Sequence, residues 1–306
     1  MRENAADGFP TDYLIARIRG RQTALISDWE RLIALGGTQE ESDEQIWGAF
    51  LQELEWLQVQ MNRRLRDMFA SLFVLFEIKT IVLCLRNKAA ARTPEIDEML
   101  ARSLLANHIK AILRQPADVR SAVAMLADAM AVTSPAFREL DSAYAEGNLQ
   151  GFENALMRIY LQEISTRRLQ PVMKMFFILF TDLRNLVLLY KDLRWGVATS
   201  CPFISGGSID AARLQEIARR RDTAALDDLV SNVTGVDTIS AANESALETI
   251  LLRSMTRKLL VMRHTDDGAA LIVVYMWRIY VQARNLAVLH HGVDLDAETL
   301  ERELVL

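Results

Sequence analysis

Two Arg-Asn doublets, Arg184-Asn185 and Arg284-Asn285, stand one hundred residues apart in otherwise apolar surroundings. Lys79, followed by Thr80, occupies the matching place 105 residues before Arg184. Each cation is preceded, two positions earlier, by an acid or an amide: Glu77, Asp182 and Gln282. A polar or charged group inside an apolar helix must find a partner or reach water, because burying it uncompensated is costly. These sites therefore have two uses open to them. One is internal ion pairing, for example of Asp182 or Glu77 with an arginine on a neighbouring helix. The other is a socket presented to a partner, with Lys79, Arg184, Asn185, Arg284 and Asn285 as its candidate residues. Arg17 and Arg21 are further interface candidates: with Asp28 they lie at spacings of four and seven, on one helical face, suited to electrostatic docking on an acidic surface. The remaining basic clusters, Arg63/Arg64/Arg66 and Arg219/Arg220/Arg221, read as solvated faces, with electrostatic docking as the alternative.

Patterns for bond chemistry are missing. His108, His264, His290 and His291 form neither a Glu-x-x-His pair nor a His-Glu-x-x-His run, the spacings of di-iron bundles and zinc proteases. Asp227-Asp228 and Asp266-Asp267 lack the further carboxylate that metal-diphosphate chemistry would need. No phosphate-binding Gly-x-x-x-x-Gly-Lys-Ser/Thr loop occurs. Gly206-Gly207 reads as a turn or a close backbone approach. The expectation is a chain with no catalytic residue, no cofactor and no metal.

The elements that position these residues are helical. Asp12–Leu35 has helically spaced apolar residues and is predicted as one helix ended by Gly36-Gly37. Ile46, Trp47, Phe50, Leu54, Leu57 and Met61 then share one face of a second helix. No sustained two-residue alternation marks a strand. Met68–Leu85, Val172–Tyr190 and Leu271–Leu289 are apolar enough to test as membrane spans. Each holds two or more polar or charged residues, and a central charge costs about 2.5–3.5 kcal/mol in a bilayer. They read instead as buried helices of a bundle.

A repeat follows from the doublets. Gly48–Lys88, Gly151–Trp195 and Ala246–Gly292 each present an amphipathic helix, a break and a more apolar helix. The breaks fall at Arg63–Asp67, at Pro171 and at Asp266-Asp267-Gly268. Pro171 suits the first turn of a new helix. The connectors Thr93–Ala145 and Ser208–Asn232 read as short helices broken at Pro94, Pro116, Pro135 and Gly147. Ser208 is the predicted N-cap of a helix over Ile209–Arg221.

Composition agrees with a large helical core: 306 residues, about half hydrophobic, net charge −5 and pI near 5.5. An acidic balance argues against nucleic-acid binding. Cys84 and Cys201 form no framework and read as small buried hydrophobes in a reducing compartment. Met1–Pro10 has no apolar signal segment, so a cytoplasmic location is expected.

The ordered combination of motifs resembles the family of V-type ATPase C subunits, known in eukaryotes as d subunits. The resemblance rests on FEIKTIVLCLR at Phe76–Arg86, FTDLRNLVLLYK at Phe180–Lys191 and YVQARNLAVLHHG at Tyr280–Gly292. The opening helix from Asp12, with its Tyr-x-x-Ala-Arg start, and the Gly-Gly loop with the helix after it (Phe203–Val230) extend it over most of the chain. Two departures stand out: Gln282 replaces the acid in the third copy, and the first copy lacks the Asn. The resemblance implies an all-α funnel of three similar modules with pseudo-threefold symmetry, placed here at 1–110, 111–207 and 208–306. It implies a non-catalytic rotor subunit joining the central stalk to the membrane rotor ring, peripheral to the membrane, transmitting torque for proton or sodium transport. A soluble helical adaptor or scaffold for other protein partners is the alternative, and a groove lined by aromatics would favour it. An α-helical enzyme would need a deep pocket of clustered carboxylates.

Overall fold

The computed structural model describes residues 8–23, 25, 43–145, 148–196, 203–235, 244–262 and 268–305. These residues form fourteen α-helices and a short 3-10 turn, and no strand. In chain order the helices are α1 (Thr11–Gln22), α2 (Asp43–Gln60), α3 (Arg63–Ala89), α4 (Thr93–Arg102), α5 (Asn107–Arg114), α6 (Val119–Ala131) and, after the 3-10 turn Pro135–Arg138, α7 (Glu139–Ala143). They continue as α8 (Leu149–Ser165), α9 (Pro171–Trp195), α10 (Ala211–Arg220), α11 (Thr223–Thr234), α12 (Glu244–Met262), α13 (Gly268–His291) and α14 (Ala297–Glu303).

The three amphipathic–apolar pairs are α2–α3, α8–α9 and α12–α13. The predicted face of α2 is buried throughout, from Ile46 to Met61. Pro171 sits in the first turn of α9, where a missing N–H costs nothing. The first break differs from expectation: it falls at Met61-Asn62, and Arg63–Asp67 is already the first turn of α3. That turn carries an exposed i,i+4 pair, Arg63–Asp67 at 4.0 Å, so its polarity reflects a solvated helix start. Asp266-Asp267 lies outside the described residues, and α13 begins at Gly268. Pro94 opens α4 within its first turn, Pro116 separates α5 from α6, and Pro135 starts the 3-10 turn. Gly147 lies outside the described residues.

The opening helix is shorter than the pattern predicted. It ends at Gln22, with Thr23 in a turn and Leu25 in a bend. The Thr23 hydroxyl bonds back to the Gly20 carbonyl at 2.7 Å, a local bond that competes with helix propagation. The rest of the segment to Leu35, with Asp28, lies outside the described residues.

The chain divides into two compact units. Unit 1 is Met1–Phe50, Gln60–Asn62 and Leu169–Leu306; unit 2 is Leu51–Val59 and Arg63–Arg168. In unit 2, α3 packs on α4, α6 and α8, and α6 packs on α7 and the 3-10 turn. The helices α3 and α8 are antiparallel: the Tyr160 hydroxyl donates to the Ser71 carbonyl, while Arg86 pairs with Glu153 at 3.2 Å. In unit 1, α9 and α13 pack on α12, and α1 packs on α13. Trp277 is fully buried there, edge-on to Phe176 with ring centres 5.8 Å apart. Its indole N–H donates to Thr256 Oγ1 at 2.8 Å, so a large apolar side chain is buried without stranding its one donor.

By length and composition α3 is long and apolar enough to cross a membrane, and 72 % of its apolar window is buried. The acids inside α3 and α9, Glu77 and Asp182, both have hydrogen-bond partners within the chain.

Candidate functional site

Glu77, buried in the middle of α3, accepts hydrogen bonds from a segment 26 and 27 residues further on. The Ser103 hydroxyl donates to Oε2 at 2.8 Å and the Leu104 N–H to Oε1. Asp182, buried in α9, repeats the arrangement at the same separations. It accepts from the Ser208 hydroxyl, from the Ser208 N–H at 2.8 Å and from the Ile209 N–H at 3.2 Å. Each carboxylate thus ties a segment of the following connector to the apolar helix, just after α4 for Glu77 and at the connector's start for Asp182. Pairing with arginine, one of the two uses open from the sequence, is not seen at these acids: the bonds come from serine, from Thr80 in the case of Glu77, and from backbone, with Lys110 and Lys258 as the nearby positive charges. Burial pushes both carboxyls above their ordinary values, and the hydrogen bonds offset part of that rise.

The glycine pair serves the second clasp. Gly206 takes φ +95°, and Gly207 lies so close to Asp182 that a Cβ would stand 2.2 Å from Oδ1. Only a bare backbone lets Ser208 reach the carboxylate from this side. Ser208 is consequently not the N-cap of the next helix. Asp210 is: its side chain accepts from Ala212 N–H, and α10 starts at Ala211.

The two asparagines form a second set of clasps. Asn185 is 0 % and Asn285 1 % exposed. Asn185 donates through Nδ2 to the Ile204 carbonyl and accepts through Oδ1 from the Ile204 N–H, both at 2.8 Å. Asn285 does the same to Val305, at 2.7 and 2.9 Å. A carboxamide is the side chain that satisfies both backbone groups of one extended residue at once. In the first copy Thr80 stands there, buried, and its place 19 residues on is Met99, inside α4. A helical residue has its backbone groups committed, so no Asn is required.

The cations behave differently from one another. Arg284 donates to the Glu303 carbonyl at 2.9 Å and to Thr249 Oγ1 at 3.0 Å. Beside it, Arg253 donates to the Leu304 and Glu301 carbonyls. Two guanidiniums at the end of α14 complement its exposed carbonyls, and burial lowers the Arg253 pKa. Arg184 is half-buried, with no side-chain partner among the described residues. Lys79 and Arg21 are exposed. Arg17 donates to Gln60 Oε1 at 2.7 Å and lies over the Tyr13 ring at 5.7 Å. Arg219 and Arg220 pair with Glu216 on an exposed face, whereas Arg221 donates to the Asp192 carbonyl.

Sequence reasoning found the helix-borne half of each clasp and missed Ser103 entirely. The signal was present: a serine stands 26 residues after Glu77 and again 26 after Asp182. Cys84 is buried and free, its thiol pushed up to about 12, mainly by burial; Cys201 and His264 lie outside the described residues. Among the described residues no group of three or more His, Cys, Asp or Glu side chains could hold a metal ion.

The described residues are those of a helical protein whose buried polar side chains bond to its own backbone. The family model described as ATP synthase (C/AC39) subunit matches residues 27–303, and the chain belongs to that family. This is the family of the V-type ATPase C subunit, the d subunit of eukaryotes, and its role there is structural and non-catalytic. A comparison with curated proteins gives no match.

Proposed function

We propose that this chain is the coupling subunit between the central stalk and the membrane rotor ring of a V-type rotary ATPase, transmitting torque for proton or sodium transport. The family match over 27–303 carries this reading. The clasps support it mechanically. A torque-bearing body has to resist shear, and buried bonds from long helices to their following connectors stiffen it. The modules are 1–110, 111–207 and 208–306, related by pseudo-threefold symmetry in a funnel. In this reading Lys79, Arg184, Arg17 and Arg21 form the partner-facing set, and Arg284 acts from inside by holding the end of α14. Asn185 and Asn285 act from inside by fixing the segments they hold. The protein works in the cytoplasm, attached to the membrane through the ring.

The test is affinity purification of the tagged chain from its native cell under gentle conditions. Catalytic and ring subunits of the ATPase are expected to co-purify, and Arg184→Glu to weaken their recovery while leaving the helical circular-dichroism signal intact. Recovery of unrelated partners, with no ATPase subunit, overturns the assignment.

A further inference from the structure

The end of α9, in unit 1, carries the largest exposed apolar side chain among the described residues: Trp195, 57 % exposed. Its ring is held edge-on to the buried Tyr190, with centres 6.1 Å apart, and Arg194 lies over the same Tyr190 ring at 5.7 Å. In the same unit α10 and α11 pack on α9. The end of α10 brings Arg219, Arg220 and Arg221 to this corner, all exposed. Arg221 fixes the junction: its guanidinium donates to the Asp192 carbonyl at 2.6 Å, and a Cβ on Gly196 would stand 3.5 Å from its Nη2.

The acids of the corner are already engaged. Glu216 pairs with Arg219 and Arg220. Asp222 accepts from the Ala225 N–H as the cap of α11, and Asp192 is buried. Arg194 meets a ring and Arg221 a carbonyl, and neither meets a carboxylate among the described residues. A guanidinium has five N–H donors, so most of theirs are open to a partner.

Three features select the occupant. Tryptophan and arginine are the side chains that dominate protein–protein binding when a contact covers them. The Trp195 ring is already packed on Tyr190, so covering it costs little side-chain freedom. Two arginines without a carboxylate are complementary to an acidic partner. A bilayer is a poorer match, because interfacial attachment uses a run of apolar side chains along one face and this corner offers one tryptophan. We propose that the corner docks an acidic protein segment of a neighbouring ATPase subunit, its carboxylates on Arg194 and Arg221 and an apolar pocket over Trp195. The partner's identity rests on the coupling role proposed above.

The test replaces Trp195 with a photo-reactive residue, Trp195→benzoylphenylalanine, in the tagged full chain in its native cell, and identifies the cross-linked peptide by mass spectrometry. A cross-link to a segment of an ATPase subunit rich in Asp and Glu is expected. That segment, made as a synthetic peptide, is then titrated calorimetrically into the full chain. Saturable binding is expected, at least about tenfold weaker in Trp195→Ala and in Arg194→Glu, with helical circular dichroism confirming that both variants fold. Flotation with phosphatidylglycerol vesicles distinguishes a bilayer from a protein. The proposal is overturned by a cross-link to lipid or to a segment without excess acid, by peptide affinity unchanged in both variants, or by Trp195-dependent flotation without a protein cross-link. Co-purification of ATPase subunits with no cross-link from position 195 overturns the docking corner and leaves the coupling role standing. A cross-link to an acidic segment with no ATPase subunit recovered removes the coupling role and, with it, the partner named here.

Discussion

Asn185 and Asn285, one hundred residues apart, each close a two-bond clasp on the backbone of a single residue, Ile204 in one case and Val305 in the other. The separations along the chain, 19 and 20 residues, differ by one. Both side chains are buried, so both clasps are shielded from competing water. Replacing either asparagine with alanine strands an N–H and a carbonyl, at about 1–3 kcal/mol for each group left unsatisfied.

Asn185→Ala is therefore expected to accelerate amide exchange at Ile204 without a comparable effect at Val305, and Asn285→Ala the reverse. Hydrogen exchange with peptide-level mass spectrometry reads both. Equal acceleration at the two sites in each variant would show that the clasps are not local.

Glu77 gives a pH prediction. Its folded pKa is raised above 4.5, chiefly by burial. Above 4.5 the folded chain keeps a proton that the unfolded chain releases, so this group's stabilisation is complete below 4.5 and declines as pH rises through the folded value. Glu77→Gln keeps an acceptor for Leu104 and an amide for Ser103 but has no proton to lose. Its Tm is expected to gain on the parent between pH 4.5 and neutrality, read by thermal melts across that window. A parallel shift at every pH would refute the assignment.

Gly207→Ala tests the close approach at Asp182. A Cβ 2.2 Å from Oδ1 forces the loop or the carboxylate to move. Overpacking of this kind costs about 1–3 kcal/mol. Gly235→Ala, where a Cβ meets nothing within 4 Å but φ is +71°, separates backbone strain from crowding. The larger loss in denaturant unfolding is expected at Gly207.

Cys84 is buried with its thiol pushed up to about 12. In a Cys201→Ser background, a thiol reagent at mildly alkaline pH is expected to label the folded chain only at the rate of opening. Labelling as fast as in denaturant would contradict the buried placement.

Much of this fold is legible in the residues. The buried face of α2, the start of α9 at Pro171 and the recurrence of the apolar helices follow from spacing and apolar character. So does the need for partners at Glu77 and Asp182. The partners themselves were not legible, because a carboxylate in an apolar helix specifies an unmet bond and not its donor. Backbone N–H groups exist at every position, and only the fold chooses Leu104, Ser208 and Ile209. Ser208 misled for the same reason: a serine before a helix pattern is a good cap, and Asp210, two residues later, is an equally good one. The end of α1 at Gln22 was not legible either, because the apolar periodicity continues past it.

The carboxylate clasp asks little of its helix-borne half: one acceptor at mid-helix. Glutamate and aspartate both serve, although their reach differs by a methylene, because the glycine-lined loop comes closer where the shorter side chain stands. A latch of this kind therefore constrains the loop more tightly than it constrains the helix, since the loop has to absorb the difference in side-chain length.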